Sequence, residues 1–174
     1  IHVQLPEELL LPRLPNGECA GINELVKYVY GEELPRIPER PGRASTQQER
    51  TEYAEKIKVA TTFYKDKAVL CATNKEVTST NKRIMANMLT GREYSFRSAD
   101  NVMQDENDRA VYTTEYLNTI DLSGLPPHNL KVKVGCVLML LRNLSPRDGL
   151  CNGTRILLTK AGDHTLEGVI LTGL

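Results

Sequence analysis

From Leu130 onward the chain changes period, and that change limits what the rest of it can fold into. Val132 and Val134 alternate with Lys131 and Lys133, and Cys136 to Leu141 then run almost wholly apolar. Alternation marks a strand with one covered face; an unbroken apolar run marks a strand covered on both. Ser145-Pro146-Arg147-Asp148-Gly149 places proline second and glycine last, which is turn chemistry. Asn152-Gly153 is a second turn signal. Thr154 to Thr159 then reads as a strand, Gly162-Asp163-His164 as a turn, and Leu166 to Thr172 as a further strand. Three sequential strands with short turns predict an antiparallel meander from a small sheet or barrel. A barrel needs more strands than this to cover its edges. The start at Ile1 without an initiator Met, and the end at Leu174 straight after a strand-like run, add to the expectation of a piece of something longer.

Upstream the periods are mixed, which predicts an α/β fold. Ile1-His2-Val3-Gln4-Leu5 alternates like a strand and is closed by Pro6. Ile22, Leu25, Val26 and Val29 lie at helical spacing and predict a short amphipathic helix over 21–30. Residues 31–50 hold Pro35, Pro38, Pro41 and Gly42 among charges and read as a loop with the composition of a mobile one. A second helix is expected from about Thr46 to Thr62, with Tyr53, Ala54, Ile57 and Thr61 on one face. Lys67 to Ala72 is a short apolar run consistent with a buried strand. Thr73-Asn74-Lys75-Glu76 follows with a capping-box pattern, and Val77, Ile84, Met85, Met88 and Leu89 continue a helical stripe ended by Gly91. Such a helix start offers unpaired backbone N–H groups and the positive end of the dipole, so it serves either as a phosphate site or as a plain cap. Residues 91–113 are polar and predict a solvated connection with one short strand near Tyr94-Ser95-Phe96. Thr114 to Asn118 begins another short helix.

Charge and motifs exclude several functions. Lys+Arg and Asp+Glu are equal at 22 each, so a basic surface can come only from local segregation of charge. The charged fraction suits a soluble protein, and no apolar run approaches a membrane span. Cys19, Cys71, Cys136 and Cys151 are scattered, with no C-x-x-C pair and only three histidines beside them. That favours reduced thiols in an intracellular protein over zinc ligands or disulfides. Asn143-Leu144-Ser145 and Asn152-Gly153-Thr154 fit glycosylation acceptors but read as turns. No Walker A loop, G-x-G-x-x-G, G-x-S-x-G or H-E-x-x-H occurs. Asp105, Glu106 and Asp108 lack an apolar scaffold to hold two carboxylates together and read as a solvated acidic loop. Nothing here supports catalysis by the chain alone.

Three stretches resemble the PIF family of ATP-dependent DNA helicases. Ala68 to Val77, with Asn81 beyond it, is similar to the family's strand ending in APTN and the helix that follows. Tyr112 to Thr119 is similar to its YPTEFLNS segment, with Thr113 where proline is usual. Gly124 to Arg155, including Leu125-Pro126-Pro127-His128, Leu140-Leu141-Arg142-Asn143-Leu144 and Gly149-Leu150-Cys151-Asn152-Gly153-Thr154-Arg155, is the most specific. The resemblance covers about residues 65–174 and only loosely the first sixty. It implies that residues 1–111, with the 31–50 loop, are part of a second RecA-like (P-loop NTPase-type) domain. Residues 112–174 would be the truncated start of its inserted small barrel, an antiparallel β meander.

It further implies part of a motor that grips and translocates on single-stranded DNA in replication, repair, recombination or telomere maintenance. ATP and Mg would be cofactors of the full-length parent, bound by motifs lying outside this chain, which would hold no cofactor or metal and hydrolyse no ATP alone. The implied partners are single-stranded DNA and the parent's first RecA-like domain, with no membrane, in the nucleus or mitochondrion of a eukaryote. Thr73 and Asn74 would grip DNA phosphates, with Lys75 adding charge. Asn81 would be either a second contact or a buried brace. His128, after the rigid Pro126-Pro127, would meet the strand or shape a turn. The other reading is a non-enzymatic single-stranded-DNA-binding or interaction module derived from a helicase or a Helitron transposon.

Overall fold

Each helix begins where its sequence supplies a cap. The computed structural model describes residues 21–99, 116, 118 and 126–171. Helix α1 (Ile22–Tyr30) buries Val26, and the Glu24 carboxylate accepts the Gly21 N–H at 3.1 Å. Helix α2 (Gln47–Lys65) starts at Thr46, whose hydroxyl accepts the Glu49 N–H at 3.2 Å while the Glu49 carboxylate accepts the Thr46 N–H at 2.7 Å. The two bonds satisfy two of the donors that a helix start leaves orphaned. Its buried residues are Ile57, Ala60 and Tyr64; of the predicted face Ile57 is buried, Tyr53 and Thr61 are half-buried, and Ala54 is exposed. Helix α3 (Asn74–Asn87) buries Thr80 along its length and leads into the buried Leu89.

The expected strand over residues 67–72 is not formed, and the capped helix α3 follows extended chain instead. Leu70 is 92% exposed. A strand needs a neighbouring backbone to receive its N–H and C=O groups, and no strand among the described residues pairs with this run. Its polar groups go elsewhere: the Lys67 carbonyl accepts from Arg155 at 2.7 Å, and Cys71 Sγ meets Thr80 Oγ1 at 3.7 Å. The described part is therefore a mixed α/β fold of three helices and two small antiparallel sheets.

The first sheet pairs β1 (Glu93–Arg97) with β2 (Asn129–Lys133), Tyr94 opposite Val132 and Ser95 opposite Lys131. The second is the meander expected from the sequence: β3 (Val137–Met139), β4 (Arg155–Ala161) and β5 (Leu166–Ile170), in that order. Where the pattern suggested one long strand beginning at Leu130, the chain breaks at Gly135. Its φ of 91° lies in the left-handed region that favours glycine, and the Cys136 N–H returns to the Lys133 carbonyl at 3.1 Å. That corner sends β2 into one sheet and β3 into the other.

Strand β4 lies between two neighbours, and Leu157, Leu158 and Thr159 are all buried. One apolar cluster joins Leu157 and Leu158 to Val132 and Cys136, to Ala60 and Tyr64 of α2, to Leu89 after α3, and to Leu34. Leu34 belongs to residues 31–50, where composition suggested a mobile loop and where α2 takes the last four positions. Instead, Leu34 is buried, Ile37 packs on the cluster, and Arg40 pairs with Glu167 of β5. The Ile1–Leu5 strand and the acidic run at Asp105, Glu106 and Asp108 lie outside the described residues, as does most of the 114–118 helix.

Candidate nucleic-acid interface

The start of α3 is a complete capping box. Thr73 Oγ1 accepts the Glu76 N–H at 3.3 Å, and the Glu76 carboxylate accepts the Thr73 N–H at 3.1 Å and its hydroxyl at 3.2 Å. The Asn74 and Lys75 N–H groups have no partner among the described residues, and both residues are exposed. The site therefore presents two free donors at the positive end of a helix dipole, which suits an anion. It also holds a carboxylate. Glu76 occupies the Thr73 hydroxyl and places a negative charge where a phosphate would approach.

The other expected site residues sit on different parts of the fold. Asn81 is exposed on α3, which does not fit a buried brace. Lys82 and Arg83 beside it are exposed, and Arg83 donates to the Asn23 side chain of α1 at 3.3 Å. His128 lies just before β2: its Nδ1 meets Ser98 Oγ at 2.8 Å, and its carbonyl accepts the Ser98 N–H at 2.8 Å. These bonds close one end of the β1–β2 ribbon. Along the ribbon's outer face Ser95 bonds Asn129 at 2.5 Å and Lys131 pairs with Glu93 at 2.9 Å.

Two basic residues of the β unit do work that the sequence did not disclose. The Arg155 guanidinium donates to the carbonyls of Tyr64, Lys65 and Lys67 at 3.0, 3.2 and 2.7 Å, capping the C-terminus of α2. Lys133 Nζ donates to the carbonyls of Met85 and Leu89 at 2.8 and 3.0 Å, capping the end of α3. Helix α3 has no basic residue in its own last turn, so the strand supplies the cation that its dipole favours. Alternation had placed Lys131 and Lys133 together opposite the valines. In the fold Lys131 faces solvent and Lys133 turns to the helix.

Behind these caps lie three titratable groups, Cys136 and Tyr64 buried and Tyr30 half-buried. Burial pushes the Cys136 thiol up from 9.0 to about 11. It also raises both Tyr30 and Tyr64, Tyr30 against the opposing pull of Arg155. Tyr64 Oη is buried without a hydrogen-bond partner among the described residues. Each group is uncharged when protonated, so its contribution to stability is whole below its ordinary pKa and is lost as pH rises toward the raised value. Unfolding free energy is expected to fall above about pH 9, with Cys136 losing about 2–3 kcal/mol by about pH 11. Urea titrations at stepped pH check this: Cys136→Ala should flatten that limb, and an unchanged slope would assign the loss to other groups. Cys71, Cys136 and Cys151 are free thiols.

No group of His, Cys, Asp and Glu among the described residues is arranged to hold a metal ion. No helix among them is long and apolar enough to cross a membrane. The fold is thus a mixed α/β protein with its most distinctive sequence in the β unit. Residues 115–160, which contain β2, β3 and nearly all of β4, match the family model for the 2B domain of the DNA helicase Pif1. The match covers about a quarter of the chain, and it supports the chain as a PIF-family helicase fragment with a helicase-related function. No curated protein matches the chain.

Proposed function

We propose that this chain is part of an ATP-dependent DNA helicase and helps it to grip and move along single-stranded DNA. In this reading residues 1–111 belong to the second RecA-like domain and 112–174 to its inserted small barrel. The first RecA-like domain completes the motor, and ATP and Mg serve the full-length parent. Replication, repair, recombination or telomere maintenance in a nucleus or mitochondrion is the setting this implies. The observation that carries the reading is the exposed start of α3, with the free N–H groups of Asn74 and Lys75, the Lys75 cation beside them, and Lys82 and Arg83 further along the same helix. Donors of this kind hold a phosphate without reading sequence. Asn81, along the same helix, and His128 are further contacts in this reading.

Binding is expected to be modest and similar for oligo-dT and mixed sequence, falling with salt at a slope of about −0.7 per phosphate contact. Fluorescence anisotropy with labelled oligonucleotides measures it. Asn74→Pro removes one free N–H at a position where proline suits the helix start, and Lys75→Ala removes the adjacent cation. Together they should lower both the affinity and that slope; an unchanged slope in the double variant moves the site elsewhere. Because the capping carboxylate competes with phosphate, Glu76→Gln should raise affinity by about two- to fivefold at low salt while retaining the cap. An affinity that falls in Glu76→Gln would mean that the carboxylate organises the site rather than obstructing it.

A further inference from the structure

Residues 34–41 carry a three-residue period. Leu34, Ile37 and Arg40 recur at that interval, as do Pro35, Pro38 and Pro41, and as do Arg36 and Glu39. Burial follows the same period up to its end: Leu34 is buried, Ile37 packs against the core cluster, the three prolines are half-buried, and Arg36 and Glu39 are exposed. Arg40, in the phase of Leu34 and Ile37, is exposed and makes its contact through its ion pair. Among the described residues, no backbone–backbone hydrogen bond involves residues 32–41. Three residues per turn without internal backbone bonds is the geometry of a polyproline II helix.

The inward contacts come in a particular order. Leu34-Pro35 and Ile37-Pro38 are two apolar–proline pairs, and Arg40 follows two positions after the second. Ile37 Cγ1 lies 3.4 Å from where a side chain on Gly135 would begin, so the segment rests against the corner between β2 and β3. At its far end the Arg40 guanidinium pairs with the Glu167 carboxylate on β5. Two apolar–proline steps followed by a cation are what aromatic-lined polyproline grooves with an acidic end recognise. Proline lowers the ordering cost by fixing φ, and arginine adds a directional charge-assisted bond.

We infer that residues 34–40 are a polyproline ligand held in cis by the β unit and taken in trans by a partner protein with an aromatic-lined, acid-ended groove of the SH3 type. Leu34, Ile37 and the Arg40–Glu167 pair make the hold, and none of them belongs to the candidate nucleic-acid interface. The ion pair is its weakest part. The Arg40 and Glu167 side chains keep 57% and 38% of their exposure, and such a pair is readily screened by salt. While the segment is docked, Leu34 and Ile37 are not available to a second groove. Release exposes all three recognition elements together.

Tryptic cleavage after Arg36, in the middle of the segment, reports its release from the surface; the Arg40–Pro41 bond resists trypsin. Glu167→Lys sets like charges against Arg40, and also against Lys160, which pairs with the same carboxylate at 3.4 Å. It should speed cleavage after Arg36 by about fivefold while lowering the melting midpoint by only a few degrees, as for exposed pairs. The same variant should bind a purified Src-type SH3 domain that takes P-x-x-P-x-R ligands. Adding Arg40→Ala should keep the fast cleavage and abolish that binding. The reciprocal variant, Arg40→Glu with Glu167→Arg, should restore slow cleavage and still not bind. For the unaltered chain, salt at about 1 M screens the pair and should also speed cleavage after Arg36, relative to a small trypsin substrate. That arm keeps the test intact if a substitution unfolds the protein. Cleavage after Arg36 indifferent to both Glu167→Lys and salt overturns the hold in cis. Faster cleavage without SH3 binding overturns the ligand role.

Discussion

Arg155→Ala is expected to lower the thermal midpoint by about 6–12 °C, from a loss of about 3 kcal/mol. The side chain is the shared partner of three carbonyls at the end of α2, those of Tyr64, Lys65 and Lys67. Removing it takes the charged donor from all three carbonyls, leaving that of Tyr64 with backbone N–H donors alone, among them Lys67 at 3.3 Å, and it frees the chain that leads to α3. Hydrogen bonds to a charged donor contribute more than neutral ones, and leaving their acceptors unmet costs more than the bonds contributed. Arg155→Lys is expected to recover only part of the loss, because one ammonium does not span three carbonyls as a planar fork does. Thermal unfolding of the two variants beside the parent checks this. A midpoint within about 2 °C of the parent for Arg155→Ala would mean that α2 is secured by its apolar face alone.

Gly168→Val should be comparably damaging, at about 3 kcal/mol or more, and Gly168→Ala somewhat less so, at about 2 kcal/mol. A Cβ at this position of β5 would lie 2.4 Å from Ile156 Cγ2 and 2.7 Å from the Leu157 carbonyl oxygen. The second contact is with backbone of the central strand, so rotating a side chain does not relieve it. The two strands must part, next to the register irregularity between Leu158 and Lys160. Gly42 provides the control, since a Cβ there meets nothing within 4 Å. Gly42→Ala is expected to change stability by less than about 0.5 kcal/mol. Urea midpoints of the three variants measure the contrast, and a Gly168→Ala variant as stable as Gly42→Ala would show that β5 shifts at little cost.

What the chain determined by itself was local. The capping box at Thr73, the helix start near Thr46, the turns around Pro146 and Asn152, and the strand periods after Leu130 were legible because each depends on residues within a few positions of one another. Asn152 lies in such a turn, closed by the Thr154 N–H donating to the Cys151 carbonyl at 3.0 Å. The family resemblance in 124–155 was legible for a related reason. A run of specific residues survives as a pattern whether or not its contacts are known.

The tertiary structure decided everything that depends on a distant partner. Lys67–Ala72 has the composition of a buried strand, but a strand exists only where another backbone meets it, and none does among the described residues. Residues 31–50 have the composition of a loose loop, but Leu34 reaches the core and Arg40 reaches Glu167, 127 positions away. Arg155 and Lys133 read as ordinary strand cations until the ends of α2 and α3 are seen beneath them. Apolar period and capping pattern report the solvent and the neighbouring turn, which act within a few residues. Carbonyls at a helix end and open ladder edges are met across the fold, by whichever side chain the packing brings there.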